Sequence, residues 1–60
     1  MTPMQKERAL AALGAAMAAC EQAVAALTDA CEFSLVDAVE RGVLYNAGYV
    51  YQIVDGMEVE

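Results

Sequence analysis

Histidine and tryptophan are missing from this sequence, and several other residue types are scarce: one Pro, one Phe, two Cys and three Lys or Arg in 60 residues. Each scarcity removes a class of chemistry. Without His there is no side chain whose ordinary pKa suits acid and base work near neutral pH. Two cysteines alone do not complete a tetrahedral zinc site. A nucleophilic thiol needs a cationic neighbour or a helix start, yet Glu21 follows Cys20 and Glu32 follows Cys31. The sequence therefore reads as no enzyme, with no cofactor and no metal.

The shortage of basic residues excludes a second class. Nine acids against three bases give a net charge of −6 and a pI near 4.2. Lys6 and Arg8 sit at the start of the chain, and beyond them Arg41 stands alone among the acids. Affinity for DNA or RNA comes from Lys and Arg displacing counterions, so direct nucleic-acid binding is not expected. A basic protein is the charged partner such a chain favours. The four glycines, at 14, 42, 48 and 56, are scattered singly and form no phosphate-cradling loop.

Strongly apolar runs are also lacking, because the longest apolar stretch is mostly alanine, and no membrane span is expected. Met1 to Arg8, the run Ala9 to Ala19 and then Cys20 trace the outline of a lipoprotein signal. Glu7 in the supposed basic region and the alanine-dominated run argue against it, so the expected location is cytoplasmic.

A chain of 60 residues buries only about 60% of the surface its unfolded form exposes. It needs a disulfide, a metal or a partner to be stable. On one continuous helix Cys20 and Cys31 would stand about 16 Å apart along the axis, whereas a disulfide needs Cα atoms within roughly 7 Å. Oligomerisation is what remains.

What is present begins with a seam. Leu10, Leu13, Met17, Cys20, Val24, Leu27 and Cys31 follow one another at alternating gaps of three and four, the seven-residue repeat of a helix that packs along another helix. Alanines at 9, 12, 16, 19, 23, 26 and 30 trace a second seam one position away. Thr2, Pro3 and Gln5 read as a capping box with proline at the first helical position. Eleven of the thirteen alanines lie between Ala9 and Ala30, so a helix over residues 3–32 follows from propensity. Such a rod is about 43 Å long, whereas a compact chain of this length has a radius of gyration of about 10 Å. A second copy lying along it, antiparallel so that Lys6 and Arg8 approach Asp29 and Glu32 of the other chain, is the expected solution.

After Cys31 the seam loses its phase. Ser34 and Asp37 suggest a new cap, and a short helix over 34–42 follows, ended by Gly42 or, failing that, by Gly48. From Val43 the reading changes to period two. The β-branched and aromatic run Tyr49 to Val54, followed by Asp55-Gly56, reads as a hairpin into Met57 to Glu60, with Val43 to Tyr45 as a third strand. Alternation would then place Leu44, Val50, Gln52, Val54, Met57 and Val59 against the helices. Tyr45, Tyr49 and Tyr51 would share the outer face with Val43, Ile53, Glu58 and Glu60.

The fold class expected from sequence is thus α+β: a long helix, a short helix and, over 43–60, a β-hairpin or three-stranded antiparallel meander, held as a homodimer or higher oligomer through the Leu10 to Cys31 seam. Tyrosine favours binding hot spots. A partner or ligand surface is therefore expected at Tyr45, Tyr49, Tyr51, Glu58 and Glu60. The function expected is non-catalytic binding by an acidic oligomer that inhibits or modulates a larger, basic and nucleic-acid-binding protein. The alternatives are a small-molecule or nucleotide-binding oligomer with sites at subunit boundaries, and a purely structural subunit.

Overall fold

The computed structural model describes residues 1–59, and among them there is no strand. Four segments follow in order: α1 (Pro3–Asp29), α2 (Phe33–Ala38), a π-helical segment (Val39–Leu44) and α3 (Tyr45–Asp55). The last three join without a break, so the molecule is a hairpin of two helices. The α+β class is therefore corrected to all-α, and the residues read as a hairpin or meander over 43–60 are helical as far as Asp55.

α1 starts as its sequence dictates. Thr2 Oγ1 accepts from the Gln5 amide at 3.1 Å, and Gln5 Oε1 accepts from the Thr2 amide at 2.9 Å, which satisfies two of the orphan donors of the first turn. Its end comes earlier than Glu32. Cys31 adopts φ 61°; its amide donates to the Thr28 carbonyl, while the Glu32 amide donates to that of Leu27. These are the two bonds of a Schellman stop, formed here around a residue that is not glycine. Two steps later the chain re-enters a helix at Phe33, with Glu32 as the capping position and no side-chain cap. Ser34, expected as that cap, lies inside α2.

The second helix runs back along the first. α1 packs on α3, on the π segment and on α2. Leu10, Leu13, Met17, Cys20, Val24 and Leu27 are all half-buried on it, whereas the alanines at 12, 16, 19, 23 and 26 are exposed. The partner helix that the leucine seam calls for is thus the other half of the same chain. Facing it are Val36, Val39, Leu44, Ala47, Gly48, Tyr51 and Val54, every one at least half-buried. Lys6 Nζ donates to the Met57 carbonyl at 2.9 Å and ties the two ends together.

This facing set explains why the strand reading fails. From Leu44 it recurs at helical spacing, which lets α3 cover the leucines of α1. The strand preference of valine and tyrosine spans only about 1 kcal/mol and reflects packing context more than backbone. Burial of one large apolar side chain is worth about 1.5 to 3 kcal/mol, so packing decides. Asp55-Gly56 then ends the helix instead of turning a hairpin: Gly56 is the C-cap, at φ −83°. Gly42 does not end the helix either; it sits within the π segment.

That segment also accounts for the lost phase. The Tyr45 amide donates to Glu40, five residues back, and the inward positions step by five from Val39 to Leu44. The extra residue turns Leu44 and Tyr51 toward α1, where an unbroken α-helix would have turned Val43 and Val50. Asp37 and Arg41 pair across one turn at 2.9 Å, worth about 0.3–0.5 kcal/mol for a surface pair of this kind.

The hairpin is one layer thick, with Cα extents of 47 × 15 × 9 Å. Val54 is the one buried residue described, at 9% exposure. The radius of gyration is 13.8 Å, against about 10 Å for a compact chain of this length.

Candidate functional site

The residues singled out as a binding surface do not stay together once 43–55 is helical. Tyr51 is half-buried in the seam with α1, so it belongs to the packing of the hairpin. Tyr45 and Tyr49 stand one turn apart on α3 and point away from it, 69% and 58% exposed. Glu58 is exposed beyond the end of α3, nine positions after Tyr49, at the end where Lys6 meets Met57. Glu60 lies outside the described residues. The outer strand face of three tyrosines beside two acids is accordingly replaced by a two-tyrosine ridge on a helix.

Two open grooves border that ridge and share Tyr45. One, of about 380 Å³, is lined by Leu44, Tyr45, Gly48, Tyr49 and Gln52. Gly48 brings no side chain to it. The other, of about 460 Å³, lies toward the π segment, between Glu40, Arg41 and Tyr45. The Asn46 side-chain amide donates to the Gly42 carbonyl and braces the junction from which Tyr45 projects. The chemistry available is that of recognition: rigid aromatic area with hydroxyl tips, an amide at Gln52, and the charges of Glu40 and Arg41. π segments are frequent at functional sites, and this one places Tyr45 where both grooves meet.

The oligomer seam has a different standing. Six of its seven residues, Leu10 to Leu27, are occupied within the chain. Cys31 sits in the turn, exposed, and both thiols are free. Among the described residues no three His, Cys, Asp or Glu side chains are grouped as a metal site would need.

Two features of this surface lie beyond the residues expected from sequence. Gly48 and Gln52 as groove residues carried no signal before the helix was known. The other was legible: Val43, Asn46, Val50, Ile53 and Met57 follow at gaps of three, four, three and four, which is the repeat already recognised in α1. All five are exposed.

By length and composition α1 is long enough and apolar enough to cross a membrane: 27 residues, an 18-residue window of mean hydropathy 1.6, and none of that window buried. The expectation from the residues alone is no span. Alanine dominates the window, and its strongly apolar members, Leu10, Leu13, Val24 and Leu27, favour insertion by about 0.3–0.6 kcal/mol each. Glu21 sits among them and opposes insertion, since an ionisable side chain inside a bilayer is costly.

No family model, curated protein or solved structure matches the chain.

Proposed function

We propose that this chain is a non-catalytic, self-associating binding module that docks a cationic segment of a larger protein on the Tyr45–Tyr49 ridge and thereby inhibits or modulates it. The observation that supports this most is the pair of tyrosines, one turn apart and largely exposed, walling two adjoining grooves on a protein of net charge −6. Tyrosine buries a large rigid area while keeping a polar tip. The surplus of acids steers a basic partner toward it and disfavours an acidic one. A partner that ordinarily meets nucleic-acid phosphate would find carboxylates in its place.

Intrinsic fluorescence tests the reading directly. With no tryptophan, the emission comes from Tyr45, Tyr49 and Tyr51 alone. Titration with an arginine-rich peptide is expected to change that emission, with affinity falling as salt rises. The Tyr45→Ala, Tyr49→Ala double variant is expected to lose binding, as followed by calorimetry. Binding that is unchanged in the double variant, or indifferent to salt, sinks this reading.

A second reading keeps the same ridge. The groove of about 380 Å³ beside Tyr49 falls within the size range of small-molecule sites, about 300–1,000 Å³. A nucleotide panel run in the same titration separates the two ligand classes.

A further inference from the structure

We infer that the free face of the hairpin is an interface with a second copy of this chain, and that two copies close into a four-helix bundle. The inference deepens the self-association half of the proposed function by naming its surface, and it is independent of the tyrosine ridge.

Each helix carries two neighbouring seven-residue seams, and the hairpin uses one of each. On α1 the leucine seam faces the second helix, while Ala12, Ala16, Ala19, Ala23 and Ala26 are exposed. On the second helix Leu44, Tyr51 and Val54 face α1. Val43, Val50, Ile53 and Met57 remain 55%, 42%, 45% and 42% exposed. A helix that packs on one neighbour needs one seam. A helix in a four-helix bundle meets two neighbours and needs a second.

Helical spacing puts the two free seams on the same side of the layer. Viewed from the start of α1, the alanine seam lies anticlockwise of the leucine seam. On the antiparallel second helix, Val43, Val50 and Ile53 turn to that same side of the residues facing α1, and Met57 follows just beyond the end of α3. The face so formed is small on one half and large on the other, so α1 of one copy fits over the second helix of its partner. Alanines then receive the valines, isoleucine and methionine, and the arrangement reciprocates under a two-fold axis. Asn46 is the single polar member of the large seam; a polar residue at such a position fixes register and copy number.

Surface area agrees. The hairpin exposes 4397 Å², about 600 Å² more than the roughly 3,800 Å² expected of a folded chain of 6.4 kDa. A standard dimer covers about 800 Å² per partner, and a face 47 Å long and 15 Å wide between extreme Cα atoms offers an area of that order.

Sedimentation equilibrium at micromolar concentration, with far-UV circular dichroism on the same samples, decides it. The wild-type chain is expected to sediment at twice 6.4 kDa. Ile53→Arg and Ala16→Arg change side chains that are exposed in the isolated hairpin; they are expected to stay helical and to weaken the dimer at least tenfold. Ala18→Arg, on the opposite flank of α1, is expected to leave it intact. A folded wild-type monomer overturns both this inference and self-association itself. A dimer that survives Ile53→Arg and Ala16→Arg overturns this interface alone. A wild-type chain that is monomeric in buffer and floats with phosphatidylcholine vesicles also overturns it, because lipid would then be what covers the face.

Discussion

The Sδ of Met17 lies 3.8 Å from the point where a Cβ on Gly48 would stand. That is ordinary van der Waals contact, so the two helices are close here but not pressed together. Gly48→Ala is expected to stabilise the hairpin by about 0.5–1 kcal/mol, because glycine within a helix costs about that much relative to alanine. Gly48→Leu forces the helices apart and is expected to cost about 1–3 kcal/mol. Urea denaturation followed by circular dichroism, at one fixed protein concentration, measures both.

Cys31 holds the left-handed conformation that closes α1, where a side chain is penalised by roughly 1–2 kcal/mol. Cys31→Gly removes that penalty at some cost in unfolded-state entropy. The expected net gain is about 0.5–1 kcal/mol. Cys31→Val, β-branched at the same φ, is expected to lose at least about 1 kcal/mol. A melting temperature that rises for Val or falls for Gly would show that the turn is not built this way.

The reciprocal bonds of Thr2 and Gln5 predict a local effect with a known site. Thr2→Ala is expected to cost about 1 kcal/mol and to raise amide exchange at Gln5 first. Thr2→Ala and Gln5→Ala combined are expected to cost less than their sum, since either variant already opens the box.

The tyrosines are expected to separate by role. Tyr51→Ala removes a half-buried ring from the seam and is expected to cost about 1–3 kcal/mol in thermal or urea unfolding. Tyr45→Ala and Tyr49→Ala leave exposed positions and are expected to stay within about 0.5 kcal/mol of wild type, while binding of the cationic peptide is lost. Equal loss of stability at all three positions would place the ridge in the packing of the molecule.

Gly14 and Gly42 have open space where a Cβ would go. Gly14→Ala in α1 is expected to stabilise by about 1 kcal/mol, read from the same urea transitions.

The first half of the molecule was legible in its residues. The spacing of Leu10 to Leu27 identified the face of α1 that packs, and Thr2 and Gln5 identified its start. The other helix in that packing could not be recognised, because its inward set includes Ala47 and Gly48, too small to register as an apolar period. The step of five at the π segment also broke its count at Val39. Meanwhile the valines and tyrosines of 49–54 satisfied a strand pattern equally well. The period of two and the period of 3.6 are hard to separate over six residues that are mostly apolar, and only contact with α1 distinguishes them. A rod of this size was expected to find its cover in a second copy; its leucine face finds that cover within the same chain.

The surplus residue at Val39–Leu44 works as a reading frame for the second helix. A chain shortened there by one position, at Gly42 for example, would set Leu44 four places after Val39, close the segment into ordinary α-helix and still turn Leu44 and Tyr51 toward α1. The same loss inside α3 would instead move every later residue round by one position, and what lay inside would be outside. The segment is therefore the place where the chain can give up a codon and still show others the same molecule.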